Sequence, residues 1–393
     1  MTPGRAAHTC DVLIVGGGPG GSSCAARLVD AGLDVMVVDR ARFPRDKVCA
    51  GWITPAVVRA LQLDVHEYAR TRTLQPFTGF WTGSISGPLR RTAFDDVVSY
   101  GIRRCEFDDY LLRRAGVRVE THDVREIRRD GSTWVIDDRI RARMLVGAGG
   151  HFCPVARAVN LDVPDAAPVL AQEVEFELDP DQDAVCPVTS TEPELFFWPD
   201  LGGYAWCVRK GRFLNVGAGR LAPAPLLKAV REFTAVLHKR GGVLPTASLT
   251  WKGHAYLLSR TSRRRLFGDG VLLIGDSAGL ALAPSGEGIL TAVESGVLAA
   301  DVILAAGAHR PAASLSWYAR DVETRFGPRA SGIPKPATSS MPAWLTTSAA
   351  SVALALPWIR RRVLLEDWFL HTSRPELSLA FRAPAPRRLQ FQL

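Results

Sequence analysis

The chain is poor in residues that staple, anchor or target a protein. Its 393 residues include seven cysteines (Cys10, Cys24, Cys49, Cys105, Cys153, Cys186, Cys207), an odd number with no C-x-x-C pair. That spacing argues against a disulfide framework and against a zinc site, and no metal is expected. Residues 1–10 lack the apolar core of a secretory signal, so the cytoplasm is the expected compartment. Basic residues exceed acidic ones by 48 to 40, for a net charge of +8. No run of like charge is long enough for a nucleic-acid arm. A solvated basic surface is therefore expected, with an anionic cofactor or an anionic membrane face as the functional alternatives.

Long apolar runs are equally scarce. Only residues 336–359, 24 in number, are free of charge over transmembrane length, and they contain three prolines and seven Ser or Thr. Such a segment is a weak membrane span. It reads as a helical cap over a substrate domain. With Arg360, Arg361 and Arg362 directly after it, peripheral membrane contact through 336–362 is the alternative. Oligomeric state is not legible from the sequence.

What the chain does contain starts at Asp11. Five strand-forming residues, Asp11 to Val15, run into Gly16-Gly17-Gly18-Pro19-Gly20-Gly21, which holds G-x-G-x-x-G at Gly16, Gly18 and Gly21. The pattern predicts a helix over 22–31 ended by Gly32, then a buried strand over 33–39 closed by Asp39. Strand, glycine turn, helix, strand and terminal acid make a dinucleotide-binding βαβ unit. The three glycines serve a tight turn, close approach of backbone to a diphosphate, and close packing of helix on strand. Asp39 lies 18 residues beyond Gly21, near the spacing at which a carboxylate receives ribose hydroxyls. On this evidence the ligand is either NAD or FAD.

Further along, Lys47 to Gly51 reads as a loop and Pro55 opens a short helix to Leu61. A hairpin is expected within 73–99, a helix over 100–115 with Arg104 near its start, and a buried strand Met144 to Ala148 returning to the first sheet. Alternating residues from Val169 to Gly217 predict an antiparallel sheet with a turn at Lys210-Gly211, followed by a helix over 225–240. The stretch Gly270 to Ala300 then delivers Asp276 from a buried strand, passes Pro284, and opens a long helix at Gly286, Glu287 and Gly288. Two glycines there let backbone approach a flat ligand, and the helix terminus favours negative charge of the kind a reduced flavin carries. Asp276 is placed to accept from ribityl hydroxyls. Two such ends require a ligand as long as FAD.

These segments resemble the geranylgeranyl reductase-like branch of the NAD(P)/FAD-dependent oxidoreductases, within the superfamily of class A flavin monooxygenases and flavin halogenases. The matching pieces are GGGPGG, Asp39, FPRDKVCAG, RRCEFDDYL, LVGAGG, GGYAWCVRKGRFLNVGAG and GDSAGLALAPSGEGI, in the family's order over residues 10 to 305. The resemblance implies an α/β fold: a discontinuous Rossmann-type FAD-binding domain (1–72, 98–164 and 263–330), an antiparallel-sheet substrate domain (73–97 and 165–262), and a C-terminal helical cap and tail (331–393). It implies that Gly16, Gly18, Pro19, Gly20, Gly21, Asp39, Arg40, Lys47, Arg104, Gly275, Asp276, Gly286, Gly288 and Ile289 bind FAD. Cys49, in the family's K-x-C-x-G loop, either lines the substrate face, assists protonation, or simply packs.

The chain departs from the pattern at Gly149 and Cys153, where Asp and Ser are usual, and at Arg209, which replaces a proline and disfavours halogenation. No second Rossmann fingerprint is present, so NAD(P)H is expected as a transient electron donor, with a protein donor as the alternative. The implied activity is reduction of a carbon–carbon double bond in a hydrophobic, isoprenoid-like substrate by an FAD-dependent oxidoreductase. The alternatives are an FAD monooxygenase acting on a hydrophobic or aromatic substrate, and a membrane-peripheral electron carrier.

Overall fold

The computed structural model describes residues 8–163, 166–241, 250–283, 285–307, 311–329, 354–375 and 377. Its first strand, His8–Val15, is continuously buried at its C-terminal half because both faces are covered, as expected of a central parallel strand. Parallel partners flank it: Ile140–Gly147 on one side and Val35–Asp39 on the other. The sheet extends from these through Val271–Leu273 and Phe267–Gly268 at one edge and Arg118–Thr121 at the other. Ligands of such open sheets collect beyond the carboxyl ends of the strands. Here those ends are Val15, Asp39, Gly147 and Leu273.

The helix after the first strand spans Pro19–Asp30, beginning three residues earlier than the sequence suggested. Proline suits the first helical position, where its missing N–H goes unused. Against it lies the helix Ile289–Ala306, apolar on nearly all sides and mostly buried. Among the described residues this is the one helix long and apolar enough to cross a membrane, and 67% of it is buried inside the fold. Small residues set the separation of this pair. A Cβ on Gly296 would sit 2.3 Å from the Gly20 carbonyl oxygen.

A seven-stranded sheet forms the second layer, in the order Lys252–Tyr256, Val169–Glu177, Phe213–Leu221, Gly203–Lys210, Glu194–Phe197, Gly79–Ser84 and Arg90–Ala93. Its outer face packs on the helix Leu226–Lys239 through Val230, Phe233 and Leu237. The expected hairpin within 73–99 is the pair Gly79–Ser84 and Arg90–Ala93. The expected helix over 100–115 needs correction at its start. Ser99–Ile102 is a strand, paired with Leu74–Phe77 and Trp52–Ile53, and the helix runs Arg104–Arg114. Gly101 lets the Phe77 ring and the Lys210 stem close over that strand, a tertiary packing that local helical spacing does not reveal.

Residues 336–353, most of the uncharged segment, lie outside the described residues, as does Pro284. The chain re-enters at Leu354, and Ile359–Phe369 is a helical run with π-type winding. Its Leu364, Leu365 and Phe369 pack on Phe80, Leu195, Phe197 and Trp206 of the seven-stranded sheet.

Candidate functional site

One cavity of about 390 Å³ is lined by residues from both large sheets and the loops around them. Gly16, Gly18, Pro19, Gly20, Asp39, Arg40, Lys47, Cys49, Arg104, Gly275, Asp276, Gly286, Gly288 and Ile289 all line it. Gly21 is absent from that lining. A Cβ there would lie 2.0 Å from the Gly16 carbonyl oxygen, so Gly21 serves helix-on-strand packing rather than a ligand. Gly16 is likewise demanded by the fold, with φ +115° and a Cβ position 2.3 Å from the Ala148 oxygen. Gly18 differs from both. Its φ is −71°, and the nearest atom to a Cβ would be the Arg45 Nη2 at 3.5 Å.

The first end of the cavity is polar. The Asp39 carboxylate accepts from the Gly17 amide at 2.9 Å and the Ala41 amide at 3.0 Å, which fixes it at the strand's end. Arg104 forms a two-pronged pair with the fully buried Asp108, both contacts at 2.8 Å. Arg45 approaches the same carboxylate at 3.2 Å, but its Nη1 makes no hydrogen bond although it is buried. Burial opposes the charge on Arg104; Asp108 and the neighbouring Cys49 thiol outweigh it and raise its pKa.

Midway, three residues from distant segments meet. Lys47 Nζ lies 2.6 Å from His254 Nε2, which lies 3.4 Å from Asp276 Oδ2. Burial also opposes the charge on Asp276, yet the His254 hydrogen bond and the positive charges of Lys47 and Arg104 hold it at about 2. Burial lowers Lys47 to about 8, against the pull of Asp276, and lowers His254 as well. At the helix start, the Glu287 carboxylate accepts from the Leu290 amide at 2.9 Å and so completes the first turn.

The far end is aromatic. Trp52, Tyr204, Trp206, Tyr256 and Phe369 line it together with Ala171. Trp52 and Phe369 stack at 5.5 Å, and Tyr204 meets Phe369 edge-on at 5.2 Å. Tyr204 donates its hydroxyl to the Ser285 carbonyl at 2.6 Å, while a Cβ on Gly286 would fall 2.3 Å from the Tyr256 hydroxyl. Burial keeps both phenols protonated by raising their pKa values.

Sequence reasoning had singled out the glycines, acids and loop. It did not single out Arg45, although the residue stands inside the FPRDKVCAG segment, nor Trp52, His254, Tyr256 and Phe369. Strand alternation places His254 and Tyr256 on one face, a signal too general to name them. Nothing local marks Phe369.

The residues fit FAD. The N-terminus of the helix Pro19–Asp30 opens on the cavity with no side-chain cap, so its backbone N–H groups remain for a diphosphate, while the start of the helix Ile289–Ala306, closed by Glu287, brings the small residues Gly286 and Gly288 to the cavity wall where a flavin edge can approach. Arg45 Nη2 stands over the same turn, and Asp39 and Asp276 supply acceptors on the cavity wall. Among the described residues no cluster of His, Cys, Asp and Glu could hold a metal ion.

The comparisons agree with this chemistry. Residues 9–65 match the FAD binding domain family model. The chain is 30% identical over 324 residues to the digeranylgeranylglycerophospholipid reductase of Methanothrix thermoacetophila, covering 75% of this chain and 77% of that one. It is 30% identical over 339 residues to the menaquinone reductase of Mycolicibacterium smegmatis, covering 76% and 77%. The fold matches the crystal structure of a geranylgeranyl bacteriochlorophyll reductase-like protein from Thermoplasma acidophilum with a TM-score of 0.69, at 19% identity and 89% coverage of each chain. With its glycine turn, carboxylates and aromatic cavity in one continuous site, the chain belongs to the geranylgeranyl reductase-like family of FAD-dependent oxidoreductases.

Proposed function

We propose that the protein reduces a carbon–carbon double bond in a hydrophobic, isoprenoid-like chain. The observation that carries this reading is the continuity of the cavity: its phosphate-friendly end, lined by Gly18, Arg45 and Arg104, leads without interruption into the wall of Trp52, Tyr204, Trp206, Tyr256 and Phe369. Prenyl chains suit such a wall, because aromatic faces bury large apolar area at fixed geometry. The names of the two relatives at 30% identity, both reductases, support the same chemistry.

In this reading Gly18, Pro19, Gly20, Arg45 and Arg104 receive the diphosphate, Asp39 the adenosine ribose, and Asp276, held ionised beside Lys47 and His254, the ribityl hydroxyls. Gly286, Gly288 and Ile289 border the isoalloxazine edge, and Arg40 lies at the rim. When bound and reduced, FAD supplies the hydride. The chain's own part is to hold the double bond against the flavin, exclude water with the aromatic wall, and supply a proton. The Cys49 thiol and the Tyr204 and Tyr256 phenols are candidate proton donors on the cavity wall, and burial keeps both phenols in their protonated form. NAD(P)H acts as a transient donor.

The test is an anaerobic single turnover of the FAD-loaded, chemically reduced protein with a geranylgeranyl lipid or a menaquinone. Product heavier by two hydrogens, formed without oxygen, is expected. Product that forms only with oxygen, and heavier by one oxygen atom, would replace the reductase with a monooxygenase.

A further inference from the structure

Lys210 is fully buried, a rare position for an ammonium group. It ends the strand Gly203–Lys210, and its Nζ donates to the carbonyls of Ala50 and Ile102, each at 3.1 Å, while pairing with the Glu175 carboxylate. Asn215, on the adjacent strand, donates to the Cys49 carbonyl at 3.2 Å and to Glu173 at 3.3 Å, and accepts from Trp206 Nε1 at 2.7 Å. The Cys49 amide faces the Glu173 carboxyl and favours its ionised form. Arg103 closes the cluster by pairing with Glu175 at 3.0 Å.

The carbonyls of Cys49 and Ala50 are thus held by side chains of the antiparallel sheet, and the Cys49 amide faces another. The opposite side of the same loop, Lys47 to Ala50, lines the cavity. Gly51 shows why the loop has the form it does. It sits at φ +67°, and a Cβ there would lie 2.4 Å from Lys210 Nζ and 2.2 Å from the Ile102 oxygen. The glycine of K-x-C-x-G is therefore the space through which the buried ammonium reaches the loop.

We propose that Lys210, Asn215 and Glu173 are positioning residues that dock the Lys47–Gly51 loop, so that the antiparallel sheet fixes where Lys47 and Cys49 stand in the cofactor site. This rests on the reading of that loop as flavin-facing. The loop contributes no helix or strand between Arg40 and Gly51, and it is tied down by side-chain contacts of Asp46 with Lys252 and Lys47 with His254, by the Ile102 amide on the Gly51 carbonyl, and by the sheet-bound peptide groups of Cys49 and Ala50. The last of these depend on the buried cluster, and a buried ammonium with its acceptors removed is strongly disfavoured.

The experiment uses the full chain, with and without FAD, as Asn215→Ala, Lys210→Met, Lys210→Met/Glu175→Gln, Glu173→Leu and Glu173→Gln. Hydrogen exchange at the Cys49 amide and iodoacetamide labelling of Cys49, both read by peptide mass spectrometry, report loop docking. Asn215→Ala and Glu173→Leu should each accelerate both by about tenfold while exchange in His8–Val15 stays unchanged. Glu173→Gln keeps an acceptor and should behave as the parent. Lys210→Met removes one member of a buried pair and is the variant most prone to misfold; the double variant removes both charges, and should fold with the same loosened loop. Exchange and labelling within twofold of the parent in folded Asn215→Ala and Glu173→Leu would overturn the proposal. A loosened loop with unchanged FAD affinity would leave the docking in place and refute the flavin-facing reading beneath it.

Discussion

Under the proposed function Gly18 is a glycine needed by the ligand, unlike Gly16 and Gly21, which the fold itself needs. At Gly16 and Gly21 an added methyl meets backbone oxygens at 2.3 and 2.0 Å, so those substitutions damage the protein before any ligand arrives. At Gly18 the backbone is unstrained, and the nearest atom is a flexible arginine terminus at 3.5 Å. Gly18→Ala should therefore fold. Its loss as the N-cap of the helix Pro19–Asp30 should change apo stability by no more than about 1 kcal/mol. Bound diphosphate is another matter, since the methyl occupies the space that its oxygens need to reach the helix N–H groups. Losing one or two charge-assisted hydrogen bonds, at about 1.5–3 kcal/mol each, weakens FAD binding by roughly one to four orders of magnitude. Urea melts of the apo protein and a flavin fluorescence titration measure the two quantities separately. Apo stability close to the parent together with FAD affinity within threefold of it would refute the placement of diphosphate at Gly18. A collapse of apo stability would refute the packing argument instead.

Other perturbations follow from the same geometry. Burial pushes the Glu173 carboxyl from its ordinary 4.5 up to about 7, against the Cys49 amide and Lys210. Its folded-state pKa is thus raised, and stability is lost as pH rises from about 4.5 through 7. Glu173→Gln should stabilise the protein by about 1–3 kcal/mol at pH 8 and by nothing at pH 4.5 in paired denaturant melts, and a gain equal at both values would contradict the assignment. Phe369→Ala removes a buried ring stacked on Trp52 and should lower stability by about 3 kcal/mol. It should also shift preference toward bulkier prenyl chains in a competition assay; an unchanged chain-length profile would remove Phe369 from the substrate wall. Asp39→Asn keeps the turn's acceptor but loses its charge, and FAD affinity should fall about tenfold by titration. Full affinity in that variant would disconnect Asp39 from the ribose.

The FAD-binding βαβ unit was legible because its signals are local: a buried strand, glycines at fixed spacing, a helix stop at Gly32 and an acid at Asp39 occupy one continuous stretch. The same holds for Gly286 to Ile289, where chain direction alone places glycines at a helix start. Fold class and cofactor followed from these two ends. The strand Ser99–Ile102 was missed because its identity depends on Trp52–Ile53 and Leu74–Phe77 as partners. Helical spacing from Phe107 onward extended the expectation past its true start.

Lys210 shows most clearly where sequence reading stops. Beside Gly211 it has the composition of a solvent-facing hairpin turn, and the chain does turn there, with Gly211 at φ +58°. Yet strand alternation carries its side chain to the inner face, where Glu175, Asn215 and the loop carbonyls wait from positions 35 residues before it, five after it and some 160 before it. No window of sequence contains that set. A charged residue at a turn is solvated by default, and only the meeting of two sheets over one loop makes it a buried anchor. The candidate cofactor residues come in short local motifs, whereas the residues that set the position of the Lys47–Gly51 loop are assembled by the fold. For this reason the Lys47–Gly51 motif could be recognised in the sequence while the reason for its glycine could not.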